Sequence, residues 1–371
     1  MLKHIIESNN MVRILIPMAG EGTRFSQYGF QTSKYLLPMN REKETMLEYA
    51  IKTLRAPKGT EFIFVIRDNA ELVSTLLKEI CQKHEYTYHI VQITQLTEGP
   101  ACSCYLAKKF LNDDVPLIIS NSDQVMDWNY DSFMNTCSQY DGCVLTYDPG
   151  YAPAIGSLDK HSFVKMDSSD RYAEQFSEKK VISSNILVGI HYYSKSSMFL
   201  QAYESMIENN DRAPNGEFYI SLTYNPLISF GYKIGYHKLP DNEHFYPVGE
   251  PIDYFHYLKT VEQWSFVRNN LSDMTRGWFI GDFIPSVLQT KDFEVGFLSH
   301  KKDETWPVHI HEHSTEINVL ISGSMKINED LIKPKEIFIF YPGMIAAPKF
   351  LENCEILCVK FPSLPRDKII I

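Results

Sequence analysis

The 371-residue chain has no apolar run approaching the length of a membrane span, which excludes a helical membrane protein. Between Met1 and Val12 it places Glu7, Ser8, Asn9 and Asn10 where a secretory leader needs an apolar centre, so a soluble, cytoplasmic protein is expected. Cysteine is sparse: the seven residues are odd in number, and neither Cys102 with Cys104 nor Cys354 with Cys358 makes a paired zinc knuckle. Buried, free thiols in a reducing compartment are the expectation. Positive charge is also short, with 36 Lys and Arg against 46 Asp and Glu and a net charge of −10. That excludes the broad basic face needed for polymeric nucleic acid or an anionic membrane. It does not exclude small phosphorylated substrates, because a pocket needs only a few local cations or a metal. Finally, the chain lacks both the Gly-Lys-Ser/Thr of a Walker A loop and the third glycine of a dinucleotide fingerprint.

What is present is an ordinary globular balance, 44% hydrophobic and 22% charged, on a chain too long for one ordinary core. The first part alternates strand-like and helix-like stretches. Val12–Pro17, Glu61–Ile66, Tyr86–Ile93 and Val115–Ser120 read as strands; the stretch near Thr45–Leu54, Ala70–Lys83 and Cys102–Leu111 read as helices. This rhythm predicts an α/β fold with a mostly parallel sheet covered on both faces, and ligands beyond the carboxyl ends of its strands. Those ends are Pro17–Arg24 and Asn121–Asp123. From about Ser272 short apolar segments follow one another without helices, at Glu294–Leu298, Ile317–Ile321, Ser324–Ile327, Glu336–Phe340 and Glu355–Phe361. They predict a small all-β antiparallel barrel or jelly roll. Two domains are therefore expected, 1–265 and 266–371.

At the end of the first strand, Met18-Ala19-Gly20-Glu21-Gly22-Thr23-Arg24 offers small residues that let backbone amides approach phosphate, followed by a guanidinium fork. Read alone, its Gly-x-Gly is equally a tight turn. Lys34 can add a second cation. Asp123, delivered by the strand Val115–Ser120, is a candidate Mg²⁺ ligand or a helix cap. Glu98-Gly99-Pro100-Ala101 sets small residues before a helix, where a base or phosphate could meet backbone amides.

In this order the motifs resemble those of the sugar-phosphate nucleotidyltransferase family. Met18–Arg24 looks like its signature loop, Lys34 like its phosphate-binding lysine, Glu98-Gly99-Pro100 like its nucleotide-contacting turn, and Asp123 like its metal-binding aspartate. Glu178-Lys179 resembles the substrate pair, Gly189 lies in a strand like the one facing the sugar, and Glu217 lies in the later acceptor segment. Val248-Gly249-Glu250-Pro251 matches the closing motif. The resemblance covers roughly the first two-thirds of the chain and implies a Rossmann-like fold. It also implies transfer of a nucleoside monophosphate from a triphosphate to a sugar-1-phosphate or related phosphomonoester, with Mg²⁺ as cofactor and pyrophosphate released. The implied pathway is capsule or lipopolysaccharide precursor synthesis. Arg24, Lys34 and Asp123 would be catalytic, while Glu178, Lys179, Gly189 and Glu217 would bind the acceptor. Two departures stand out: Ser33 and Tyr35 flank Lys34 where prolines are usual, and Pro247 occupies the place of a second metal aspartate, a role open to Asp253 or another acid.

The later spacing His309-x-His311-x4-Glu316-x6-Gly323 looks like the first motif of a cupin, and Tyr341-Pro342-Gly343 resembles the second. His309, His311 and Glu316 form a donor set suited to a transition metal, but Ala346 stands where a metal cupin carries its further histidine. His313 is a candidate substitute. A metal-free barrel that binds a sugar, packs against the transferase or mediates homo-oligomer formation is the favoured alternative. Two further readings remain open. One is a bifunctional enzyme whose barrel isomerises or epimerises a sugar with His311 or Tyr341 as base; the other is a non-catalytic nucleotide-sugar binding protein.

Overall fold

The computed structural model describes residues 12–20, 22–67, 70–147, 160–264 and 266–371. They fall into two units, 1–265 and 266–371.

The first unit runs β1 (Arg13–Met18), α1 (Thr23–Tyr28), α2 (Met46–Lys52), β2 (Glu61–Ile66), α3 (Ala70–His84), β3 (Thr87–Gln92), α4 (Pro100–Tyr105), β4 (Leu117–Ser120), β5 (Gln124–Asp127), α5 (Tyr130–Cys137) and β6 (Gly142–Tyr147). It continues with β7 (Ser162–Met166), β8 (Ala173–Glu178), β9 (Ile186–Tyr193), α6 (Ser196–Glu208), α7 (Tyr224–Ser229), β10 (Ile234–Lys238), β11 (His244–Pro247) and α8 (Pro251–Thr260). The main sheet has the order β10-β6-β9-β4-β1-β2-β3, with β7 and β8 joined at β9. β1 lies parallel to both β2 and β4, while β9 is the antiparallel insertion between β4 and β6. The sheet is mostly parallel and its central strands are apolar on both faces. Ile14 and Ile16 pack with Phe62 and Phe64 on one side, and Leu15 with Ile63 and Val65 on the other. The helix expected over Cys102–Leu111 is two pieces, α4 and a 3-10 turn at Lys108–Phe110.

Every named strand pair of the second unit is antiparallel, and two 3-10 turns, Leu271–Asp273 and Thr275–Gly277, precede them. Its strands are β12 (Trp278–Ile280), β13 (Glu294–His300), β14 (His309–His311), β15 (Thr315–Ser322), β16 (Met325–Ile327), β17 (Asp330–Ile332), β18 (Ile337–Phe340), β19 (Pro348–Phe350), β20 (Cys354–Phe361) and β21 (Lys368–Ile370). They form sheets ordered β12-β13-β20-β15-β18, β14-β21 and β17-β16-β19. Among the described residues these three sheets do not close into one barrel. In β20 the alternation is regular, with Cys354, Ile356, Cys358 and Lys360 turned inward. All seven cysteines are free, and six of them are buried. No helix among the described residues is long and apolar enough to cross a membrane.

Candidate active site and a second cavity

The sheet extends through β2 and β3 on one side of β1 and through β4 and β9 on the other. The crevice beyond the carboxyl ends of β1 and β4 is thus a topological switch point, the usual ligand site of such sheets. A pocket of about 590 Å³ opens there, and Arg24, Pro100, Asp123, Glu178, Lys179 and Gly189 line it.

Lys34 joins this group through Asp123, with Nζ 2.7 Å from Oδ2. Its 3-10 turn, Lys34–Leu36, is pinned to the end of β1 by Tyr35, whose hydroxyl donates to the Met18 carbonyl at 3.0 Å. Burial opposes the charge on both partners. For Asp123 the Lys34 charge and hydrogen bond, with Arg24 beyond, outweigh burial and hold the carboxyl below its ordinary range. For Lys34 the Asp123 charge likewise outweighs burial and raises the ammonium above its usual value. Arg24 is 64% exposed and lies 3.6 Å from the Glu250 carboxylate, so it can swing towards a polyphosphate at little cost. Gly249 brings the closing segment against Asp123: a Cβ there would stand 2.6 Å from Oδ2.

Glu178 is buried and accepts hydrogen bonds from the hydroxyls of Ser162 and Ser221. Burial pushes its carboxyl up, with both hydroxyls working against the shift. Lys179 has a φ of 56°, an unusual left-handed conformation for a lysine, and its ammonium lies 4.9 Å from the centre of the Tyr219 ring. Gly189, with φ 86°, leaves room for Asn121, whose Nδ2 would lie 2.2 Å from any Cβ added there.

Other expected positions stand back from the pocket wall. Met18 and Ala19 are buried, leaving only their backbone to offer; Gly20 and Gly22 have open space around them, Thr23 is exposed, and Glu21 lies outside the described residues. Glu98 pairs with Arg212 at 2.7 Å. Gly99 abuts the backbone of Phe218, whose carbonyl also takes the Ala101 amide at 3.1 Å. That amide is therefore engaged by the protein itself. Glu217 accepts hydrogen bonds from Asn215 and Tyr219 and is exposed; Tyr219, rather than Glu217, forms part of the wall.

Sequence reasoning pointed to the Asn121–Asp123 loop and to the segment holding Tyr219 without giving either Asn121 or Tyr219 a role, and it missed Ser162, Ser221 and His191 as pocket residues. Asn121 carried a local signal, two places before Asp123; the serines meet Glu178 through strand pairing and folding that no local pattern reveals. His191 is buried in the wall, and burial pushes its pKa down to about 3, so it is a neutral group. Asp253, at the start of α8, has a buried Oδ1 without a hydrogen-bond partner.

Residues 14–226 match the family model described as nucleotidyl transferase. The chain belongs to the nucleotidyl transferase family. No curated protein matches it at the sequence level. Among solved structures, a nucleoside-diphosphate-sugar pyrophosphorylase from Vibrio cholerae RC9 aligns with a TM-score of 0.58 at 24% identity, over 67% of this chain and 100% of that one. A UDP-glucose pyrophosphorylase complexed with UDP-glucose aligns at 0.55 and 14% identity, over 68% and 99%. An inositol-1-phosphate CTP transferase from T. maritima aligns at 0.51 and 11% identity, over 68% and 97%. These are likenesses of fold.

Among the described residues of this nucleotidyl transferase, no three His, Cys, Asp or Glu side chains are gathered to hold an ion. Mg²⁺ does not require such a cage, since it is commonly held by one or two carboxylates with substrate phosphates and waters. Asp123 fits that role. Pro247 lies opposite Gln124 in the pairing of β11 with β5 and adds no ligand.

In the second unit, His309, His311 and Glu316 do line one cavity, and the two imidazole centres are 5.5 Å apart. Each ring is held from behind: His309 Nδ1 lies 2.9 Å from the Pro307 carbonyl, and His311 Nδ1 lies 3.1 Å from Asp367 Oδ2. His311 Nε2 faces Glu316 Oε2 at 3.1 Å. Ala346 is paired directly with His309, with backbone hydrogen bonds of 3.1 and 2.8 Å, so a methyl group stands where another donor would be needed. His313 is exposed and beside Glu312, outside the cavity wall, so it does not substitute. Tyr341 is exposed and outside the wall as well. Among the described residues this donor set does not form a gathered metal centre.

Proposed function

We propose that the first unit, 1–265, transfers a nucleoside monophosphate from a triphosphate to a sugar-1-phosphate or related phosphomonoester. An acceptor phosphate oxygen bonds to the α-phosphorus, the α–β anhydride bond breaks, and pyrophosphate leaves. The observation that carries this reading is the meeting of Arg24, the Lys34–Asp123 pair, Lys179 and Glu178 around one crevice of a nucleotidyl transferase. The nucleophile is already an anion, so no strong base is needed; the work is alignment of two anions and stabilisation of developing charge. Arg24 takes the leaving phosphates and Lys34 positions phosphate, exchanging its present partner for it. Lys179 holds the acceptor phosphate while Glu178 accepts from a hydroxyl. Asp123 would hold Mg²⁺ together with the substrate phosphates, and the ion would supply charge neutralisation there. The loop Met18–Thr23 and the Glu98-Gly99-Pro100 turn frame the nucleotide.

The named activities of the fold neighbours, which act on sugar or inositol phosphates, support this substrate class. We assign the product to capsule or lipopolysaccharide precursor synthesis in the cytoplasm, and 266–371 to a cupin-like accessory domain. The test is pyrophosphate release with Mg²⁺ over a panel of nucleoside triphosphates and sugar or polyol phosphates. Release with one pair is the expected result. Saturable nucleotide binding without release for any pair would replace the enzyme by a nucleotide-sugar binding protein.

A further inference from the structure

The second unit encloses a cavity of about 620 Å³, within the range of small-molecule sites. Its polar floor is a set of buried, mutually supported groups. Glu294 takes the Ser363 hydroxyl at 2.9 Å and the Lys360 ammonium at 3.0 Å. Glu316 takes the Asn318 amide at 2.9 Å and faces His311, which Asp367 holds from the far side. Burying two carboxylates, a lysine and paired imidazoles costs several kcal/mol per ion before pairing recovers it, so such a floor is a poor way merely to fill a core. The walls are aromatic, with Trp278 and Trp306 among them.

The charge in the cavity is not matched everywhere. Lys360 is paired with Glu294, and Glu304 lies beside His300 at 3.4 Å. Lys368 and Arg276 also line the cavity, and among the described residues neither has a carboxylate within ion-pair distance. Lys368 instead sits 4.7 Å from the centre of the Trp306 ring. Burial lowers its pKa; Glu316 opposes the shift, while Arg276 and Lys360 add to it by repulsion. Arg276 is held at φ 53° immediately before Gly277, a strained backbone position for an arginine. Two cations thus share one cavity with carboxylate and imidazole acceptors and two indole rings.

We propose that this cavity is a second small-molecule site, taking a polyhydroxylated ring, a sugar or cyclic polyol, that bears one anionic group. Lys368 and Arg276 bind the anion, Glu316 and His309 accept from ring hydroxyls, and Trp278 and Trp306 cover the apolar C–H faces. The site lies wholly within 266–371 and does not rest on the reading of the first unit.

The test uses the full chain, with isothermal titration calorimetry and tryptophan fluorescence on glucose 6-phosphate, glucuronate, neutral glucose and inorganic phosphate. Glucose 6-phosphate and glucuronate distinguish a phosphate anion from a carboxylate. Saturable binding of at least one of them is expected, with neutral glucose weaker by tenfold or more. Lys368→Met with Arg276→Met should weaken that binding at least tenfold, methionine keeping the packed stem. Trp306→Phe should reduce the fluorescence change while calorimetric binding persists, and Lys179→Ala, which removes the proposed acceptor-phosphate cation of the first unit, should leave the binding unchanged. No saturable binding of either anionic sugar, equal affinity for glucose, insensitivity to the double substitution, or loss on Lys179→Ala would each overturn the proposal.

Discussion

Two buried or half-buried aspartates show how differently the units use charge. Asp123, at the sheet edge, spends its carboxylate on one side-chain partner, Lys34 at 2.7 Å. Asp367, 5% exposed in the second unit, accepts from the backbone amides of His313 and Ser314 and faces the His311 imidazole. In both, burial works against the charge and is overcome, so both carboxyls lie below their ordinary range. The means differ. The Asp123 partner is an ammonium on a flexible stem that can turn to an incoming phosphate. The Asp367 partners are mostly backbone amides, whose positions are set by the chain itself. A site that must trade ion pairs is built from side chains, and one that must hold a ring still is tied to the main chain.

The largest effect expected from this contrast falls on stability. Asp367→Ala strips the backbone amides of His313 and Ser314, the second of them buried, and an imidazole of their acceptor, and should cost about 3 kcal/mol, at the summed scale of such hydrogen bonds. Urea denaturation of the substituted chain checks it. A loss below about 1 kcal/mol would mean that water replaces the carboxylate, and the second site would then be no more rigid than the first.

The first unit should respond in turnover instead. Asp123→Asn and Arg24→Ala are each expected to cost at least about tenfold, or about 1.4 kcal/mol of barrier, in pyrophosphate release. Near-wild-type turnover in both would remove the proposed roles. Equal losses of stability in Asp123→Asn and Asp367→Ala would erase the distinction between the two aspartates.

The division between legible and hidden features follows the same physics. The apolar runs of β1, β2 and β4 could be read because a strand covered on both faces must be apolar along its length. The histidines of β14 and Glu316 could be brought to one cavity because alternation in a strand is strictly two-fold. Three-residue strands such as β12, β17, β19 and β21 are too short to show any period, so the second unit looked simpler than it is. Gly99 belongs to a run of small residues that the sequence offers as a place for backbone amides to meet a base or phosphate. Its φ of 142° and the Phe218 carbonyl, which a Cβ would meet at 2.4 Å, show a glycine required by another segment of the protein. Sequence spacing reports that space is needed but not what fills it. Ser162 and Ser221 on Glu178 are the same case from the polar side: their roles exist only after distant segments meet.

The smallest expected effect concerns the acid that neither aspartate's logic covers. Asp253 is pushed up to about 6, first by burial and then by the Glu250 charge, with Lys160 and Arg24 opposing. Its folded value therefore lies above its unfolded one. The stability it contributes is complete below about pH 4, where the unfolded carboxyl is also protonated, and is lost as pH rises through about 6. Asp253→Asn keeps the shape and removes the titration. The variant should gain stability relative to the parent as pH rises from 4.5 to 7.5, with the difference accruing mainly between those values. Paired urea midpoints at the two pH values read it directly. The gain is modest because the group is only partly buried and solvent screens it. A pH-independent difference would mean that the unpartnered Oδ1 meets a donor when ionised, and would place Asp253 with Asp123 as a carboxylate held charged by its neighbours.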